Sequence, residues 1–514
     1  MANEITDPVF QLVKSLTRSE KRHFRLFAKR QGATEGLKFL QLFDALDSLG
    51  MYDEEKVLTL APDVKKAQLA NMKANLYKNV LSGLRLYHAG QNVDIQLREQ
   101  LDFARVLYNR GLYQQSLKML DKVKTQAIQA EMQHTALEAL DFEKMIESQY
   151  ITRSLAGRAD TLSEEAMDIV GHVSQLHQLS NLGLRMYGLY IKVGHARNDE
   201  EYEKITAYFQ SHLPAFDLST AGFYEKLYYY QSHVWYYYIV QEFRSAYRYA
   251  QKWVDLFEQH PAMKEKQSML YIKGLHNLLA ALFNMLYHSK FKEVLHQLEA
   301  FAADENRRIS PNTEMLLFLY IETNRINLHF MEGRFTEGLE LVPGILDKLE
   351  HFKSQLDPHR KLIFYFKIAS LYFGSGDNYK AIEYLNKIIR FKDISLREDL
   401  QCFARILNLI AHYEAGEDEA LEYQIKSVYH FLGKMNNQQQ MQVEIFRFLR
   451  KLGDIAPHEL RDAFISLKAK LESIAADPFE RRPFLYLDII SWLESKIENV
   501  PVQEVMRRKY KTLK

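Results

Sequence analysis

Residues 365–389, YFKIASLYFGSGDNYKAIEYLNKII, decide how the rest of the chain is read. Tyr365, Ile368, Ala369 and Tyr372 recur at three- and four-residue steps, which places them on one face of a helix. Gly374, Ser375, Gly376, Asp377 and Asn378 then supply a run of turn-formers, including two glycines able to take the positive φ that ends a helix. A second helix follows, with Ala381, Leu385 and Ile388 on one face and Glu383, Asn386 and Lys387 away from it. The stretch therefore predicts two short helices folded back on one another.

The spacing carries more than the composition. An aromatic, an aliphatic–small pair and a second aromatic stand at Tyr365, Ile368–Ala369 and Tyr372, and a small residue with an aliphatic four further on stands at Ala381 and Leu385. This order resembles the tetratricopeptide repeat (TPR), in a divergent form that lacks the Trp, the second-helix Phe and the closing Pro. The resemblance implies an all-α fold, a right-handed superhelical solenoid of TPR-like antiparallel helix hairpins with helical caps. It also implies a groove lined by the first helices that takes a peptide segment or a protein partner. Tyr229, Tyr236, Arg325 and Lys367 are the candidate partner-binding residues on that implication.

Outward from this stretch the pattern recurs. Phe103, Ala104 and Leu107 lead to Gly111, Tyr113, Ser116 and Leu120, and Ile326 and His329 lead to Gly333, Phe335, Gly338 and Val342. Weaker copies centre near Ala246, Val294 and Leu421. The second-helix positions 246, 294, 338, 381 and 421 are separated by 48, 44, 43 and 40 residues, longer than the usual repeat of about 34. Two further hairpins are expected within 127–212. Before the repeats, Thr17 and Glu20 have capping-box spacing, apolar positions mark a helix over 37–49, and another runs over 64–88. After the repeats, helices are expected over 438–452, 458–474 and 484–497, as a terminal cap of the kind a solenoid requires. The resulting division is 1–90, an N-terminal helical domain, 91–435, the TPR-like repeats, and 436–514, the C-terminal cap.

Composition bounds the function. A chain of 514 residues, 47% hydrophobic and 26% charged, is too long for one core and reads as several domains or a solenoid. With 11 prolines and 21 glycines, helix is favoured nearly throughout. Basic and acidic residues number 67 and 66, so there is no overall excess of the kind that holds nucleic acid without specificity. The single Cys402 excludes an internal disulfide and a multi-cysteine metal site, and reads as a small core residue in a reducing compartment. The start MANEITDPVF is too polar for a signal peptide, and no apolar run approaches the ~18 residues of a membrane span. A cytoplasmic location with no membrane partner is the expectation.

Two local features stand out. Residues 14–30 carry Lys14, Arg18, Lys21, Arg22, Arg25, Lys29 and Arg30 against one acid, Glu20, and Arg18, Arg22, Arg25 and Lys29 share a helix face. That stripe reads first as a solvated or internally paired face, then as a dock for an acidic protein, and last as a phosphate contact. Residues 223–238, FYEKLYYYQSHVWYYY, hold nine aromatics in sixteen positions, and three stripes run along the helix: Tyr230, Val234 and Tyr237; Tyr229, His233 and Tyr236; and Tyr224, Tyr228 and Trp235. The helix is either sandwiched between neighbours or presents some rings to a partner. Motifs for catalysis are missing: Gly374–Asn378 lacks the P-loop arrangement, His458 and Glu459 do not continue to HExxH, and no GxSxG occurs. The expectation is a noncatalytic protein- or peptide-binding scaffold that is not an enzyme and uses no cofactor or metal. The alternative is a regulator with a nucleic-acid-binding N-terminal unit and a ligand-sensing repeat domain.

Overall fold

Thr17 starts its helix as the capping-box spacing requires. Its hydroxyl accepts from the Glu20 amide at 3.3 Å while the Glu20 carboxylate accepts from the Thr17 amide at 2.8 Å, so orphan amides at the helix start are satisfied reciprocally. Side chains of Asp7, Asp53, Asn92, Asn198, Ser310 and Asp357 cap other helices in the simpler way. The computed structural model describes residues 7–30, 35–90, 92–149, 157–215, 217–304, 309–353, 355–391, 398–417, 424–425, 428–429, 431, 440–452, 455–456, 458–477, 479–480 and 488–512. Among the described residues every regular element is helical. The repeat position at Leu421 and the expected helix starts at Gln438 and Phe484 lie outside them.

By contact the chain separates into two units, Met1–Val173 and Ser174–Lys514. The first holds α1 (Pro8–Ser15), α2 (Arg18–Arg30), α3 (Glu35–Ser48), α4 (Glu54–Leu60), α5 (Lys66–Ala89), α6 (Val93–Asn109), α7 (Tyr113–Gln129) and α8 (Gln133–Gln149). Phe24, Phe43, Leu46, Leu76 and Val80 close one core among α2, α3 and α5, with Leu69 of the helix expected over 64–88 buried in the same core. Leu97, Ala104, Leu120, Ala136 and Leu140 close a second core among α6, α7 and α8. The residues of α9 (Arg158–Val193) divide between the units. At 36 residues it replaces one of the hairpins expected in this region with a single long helix.

The second unit continues with α10 (Asp199–His212), α11 (Phe223–Ile239), α12 (Phe243–Gln259), α13 (Pro261–Lys266), α14 (Ser268–Asn284), α15 (His288–Ala303), α16 (Pro311–Glu332), α17 (Phe335–Gly338), α18 (Val342–His351), α19 (Pro358–Ser375) and α20 (Asn378–Ile389). It ends with α21 (Glu398–Glu414), α22 (Gln440–Lys451), α23 (Leu460–Ala475), α24 (Ile489–Glu498) and α25 (Val502–Thr512). Helices pack on their neighbours in sequence: α11 on α12, α14 on α15, α16 on α17 and α19 on α20. Between these pairs, α14 packs on α16, α16 on α19, and α19 on α21. The small second-helix positions Ala246, Gly338 and Ala381 are all buried, as is Val294. Gly338 lies against Leu371, and Gly274 of α14 against Trp253 of α12.

One turn joins most of these helices. Residues 111, 131, 241, 286, 333, 376, 416 and 499 have positive φ. The amide of the following residue donates to the carbonyl five positions back, as in Asp377 to Tyr372 at 2.9 Å, Tyr287 to Leu282 at 3.0 Å and Glu242 to Tyr237 at 2.9 Å. This is the helix-ending Schellman geometry, which satisfies carbonyls that the last turn would leave unpaired. In the second unit the turns at 241, 286, 333, 376 and 416 repeat at 45, 47, 43 and 40 residues. Of the two glycines in the opening stretch, only Gly376 adopts positive φ, 95°. Gly374 lies inside α19 for a different reason: a Cβ there would overlap the Phe335 ring.

Stability should follow these two constraints. Gly374→Ala lowers the urea midpoint of the full chain, with a cost of about 1–3 kcal/mol from overpacking against Phe335. Leu286→Gly raises it, because an exposed leucine at φ 55° carries left-handed strain of roughly 1 kcal/mol that glycine lacks. Gly344→Ala, in a helix with nothing near the added methyl, leaves the midpoint unchanged or raises it.

Candidate functional site

The neighbouring helices α14, α16 and α19 bring together a row of polar side chains that are far apart in sequence. Tyr320, Asn324 and Asn327 follow one face of α16 at steps of four and three, and Arg360 and Lys367 stand two turns apart on α19. The His276 ring of α14 stacks on Tyr320 with centroids 3.9 Å apart and planes at 4°. Asn324 Nδ2 donates to His276 Nδ1 at 3.3 Å and to the Tyr320 carbonyl at 2.7 Å. Asn327 Nδ2 donates to Asn324 Oδ1 at 3.4 Å, and Lys367 Nζ donates to Asn327 Oδ1. The Lys367 ammonium also lies 5.4 Å from the centre of the Phe330 ring.

This relay has a direction. Because Asn324 donates to His276 Nδ1, the imidazole proton sits on Nε2 and points away from the relay. The side-chain acceptors of Asn327, Asn324 and His276 each have a donor, so apart from the Tyr320 hydroxyl, which both donates and accepts, the groups left over are donors. They are His276 Nε2–H, the remaining hydrogens of the Lys367 ammonium, the Lys273 ammonium and the Arg360 guanidinium. Among the described residues none of the three cations makes an ion pair.

The electrostatics agree with that inventory. His276 and Lys367 retain some accessible surface but are surrounded by protein on most sides. Burial, followed by the charges of Arg360 and Lys367, holds His276 down to about 3, so the ring is neutral. Burial alone brings Lys367 down to about 8. Lys273 is lowered by burial and by Arg360. Among the described residues no carboxylate offsets this at His276, Lys367 or Lys273.

Of the residues singled out from sequence, Lys367 belongs to this row. Arg325, one position along from Asn324, faces the other way and pairs with Glu299 at 2.7 Å and Glu322 at 3.2 Å. Tyr236 is buried, with its ring stacked on Phe209 at 4.3 Å and its hydroxyl 3.0 Å from Thr206. Tyr229 is half-buried against His233, centroids 4.1 Å apart. The three aromatic stripes of α11 have three destinations. Trp235 packs on Tyr187 and Tyr190 of α9, Tyr236 on α10, and Tyr237 stacks on Tyr249 of α12. His233, stacked on Tyr249 at 4.3 Å, is pushed down to about 4 by burial.

The basic stripe of α2, in the first unit, is divided. Arg25 pairs with Asp44 at 2.8 Å and Asp47 at 3.0 Å, and Lys21 with Asp47 at 2.6 Å. Lys14 donates to the Asp47 carbonyl at 2.6 Å. Arg18, Arg22 and Lys29 are exposed and form no ion pair among the described residues. Also in this unit, an open cleft of about 670 Å³ runs along α6 and α8, lined by Arg105, Tyr108, Phe142 and Met145.

Cys402 is buried in α21. Among the described residues no three His, Cys, Asp or Glu side chains cluster as a metal site would require, and no helix is long and apolar enough to cross a membrane. Neither a family model nor a curated protein matches the chain.

The depressed pKa of Lys367 sets a pH dependence. Between about pH 8 and pH 10.4 the unfolded chain holds this proton and the folded chain has released it, so the lysine makes stability rise with pH across that window. Urea unfolding at pH 7.5 and 10.5 should show the wild type gaining roughly 1–3 kcal/mol relative to Lys367→Met. Equal pH slopes for the two proteins would contradict the burial of this charge.

Proposed function

We propose that the helices of Ser174–Lys514 form a TPR-like solenoid, and that the chain is a noncatalytic scaffold binding a peptide or protein segment along α14, α16 and α19. The observation that carries this reading is the donor-rich row from Lys273 to Lys367, held on first helices and without an ion pair among the described residues. Buried polar groups are ordinarily paired within the fold, so a row left open to solvent on one side is a binding feature rather than a packing one. The recurring left-handed turns at 241, 286, 333, 376 and 416 support the repeat architecture. Their spacing of 40–47 residues places this array among longer repeats than the usual TPR of about 34.

A random peptide library displayed against the full chain tests the reading. Selected peptides should compete with one another and lose binding to Tyr320→Ala and to Lys273→Glu, both partly exposed positions whose variants are checked for fold by circular dichroism. If every selected peptide binds these folded variants as tightly as the wild type, the binding face is elsewhere.

The second reading, a regulator whose first helices hold nucleic acid, draws on the exposed Arg18, Arg22 and Lys29. It requires binding of duplex DNA that weakens steeply with salt and is lost on reversing these three residues to Glu. With Lys14, Lys21 and Arg25 engaged by the Asp44–Asp47 segment, the charge available to phosphates is reduced, and the expected result is no salt-sensitive binding.

A further inference from the structure

We propose that the face of α14, α16 and α19 is specific for an acidic run in an extended peptide, whose side-chain carboxylates accept from Lys273, His276, Arg360 and Lys367; this specificity rests on the peptide-binding reading of the same face. The reasoning begins with what the site lacks. The relay from Lys367 through Asn327 and Asn324 to His276 consumes its own acceptors and leaves donors facing outward. A neutral ligand offers acceptors but no charge to offset three unpaired cations. A basic ligand would add to their repulsion. An anion satisfies both the hydrogen-bond inventory and the charge.

The layout favours a line of carboxylates over a single bound anion. Arg360 and Lys367 are separated by two turns of α19, about 10 Å along its axis. That span is matched by carboxylates about three residues apart in an extended chain. His276 and Lys273, on the neighbouring side of α16, provide donors for a second strand of contacts. The neutral His276 donates through Nε2–H without adding a charge that must be neutralised. Cations surrounded by protein interact with an anion more strongly than cations in open water, and Lys273 and Lys367 are partly desolvated with no ion pair among the described residues. Lys367, whose charged form is disfavoured in the free protein, is the group that gains most from a carboxylate beside it.

Fluorescein-labelled acetyl-hexaglutamate amide is the probe, titrated into the full chain at low salt by fluorescence anisotropy, with acetyl-hexaglutamine amide as its uncharged counterpart. The hexaglutamate probe should bind at least tenfold more tightly than hexaglutamine. Arg360→Gln and Lys367→Met should each weaken it at least tenfold, with circular dichroism unchanged. Lys380→Gln, which removes an exposed cation paired with Glu383 at 2.9 Å on the second helix of the pair, should leave it unaltered. Equal binding of the two peptides overturns the proposal, as does equal loss in Lys380→Gln and Arg360→Gln. Tighter binding of an oligothymidylate than of hexaglutamate, sensitive to the same substitutions, also overturns it, in favour of nucleic acid. Failure here is separable from failure of the scaffold reading: displayed peptides that are neutral yet lose binding to Tyr320→Ala would keep the binding face and remove its acidic specificity.

Discussion

The left-handed turn that ends each first helix is the constraint on which the second unit depends. A helix leaves its last carbonyls unpaired, and reversing the chain within three residues requires both a sharp backbone change and partners for those groups. A residue with positive φ followed by a bond from the next amide to the carbonyl five positions back meets both needs at once. Where glycine occupies the position the geometry is unstrained, as at Gly376. At Gln241 and Leu286 a side chain is held there against its preference. Packing of the following helix compensates, since Ala246 and Val294 are both buried just beyond these turns.

Close approach is the second constraint. Small residues let helices of successive pairs meet closely, as Gly338 of α17 lies against Leu371 of α19 and Gly374 of α19 against Phe335 of α17. Aromatic residues then fill the wider gaps. Stacks such as Phe318 on Phe364, centroids 5.6 Å apart, tie α16 to α19. The crowded aromatic helix α11 belongs to the same logic: its rings are distributed among α9, α10 and α12, so one helix with three apolar stripes has three neighbours to satisfy them.

The polar row on α14, α16 and α19 is exceptional because neither constraint accounts for it. Tyr320, Asn324 and Asn327 are ordered by one another, and the asparagine ladder fixes the tautomer of His276. Other recessed charges differ in their partners: Lys124 sits among Glu143 and Glu165 and Glu414 pairs with Lys496, whereas Arg405 donates to Gln401 and lies over the Phe431 ring. In this row the three cations form no ion pair among the described residues, and Lys367 donates to the side chain of Asn327.

Much of the architecture was legible in the sequence. The period of the apolar positions marked the helices, Thr17 with Glu20 marked a helix start, and small residues at Ala246, Gly338 and Ala381 marked the second helices. These are local properties: a helical face, a cap and a turn depend on residues within a few positions of each other. The destination of each charge was not legible. Arg325 and Lys367 look alike in sequence, yet one meets Glu299 on α15 and the other an asparagine on α16. Lys273, His276, Tyr320 and Arg360 escaped notice altogether, because they lie 40 or more positions apart in two of the three steps between them or stand alone on otherwise apolar helices. The basic stripe of α2 was visible, but its partial neutralisation by Asp44 and Asp47 was not. Sequence periodicity determined which residues share a helix face; only the packing of one helix on another decided which charges are paired and which remain open, because electrostatic and hydrogen-bond partners are selected by distance in space rather than along the chain.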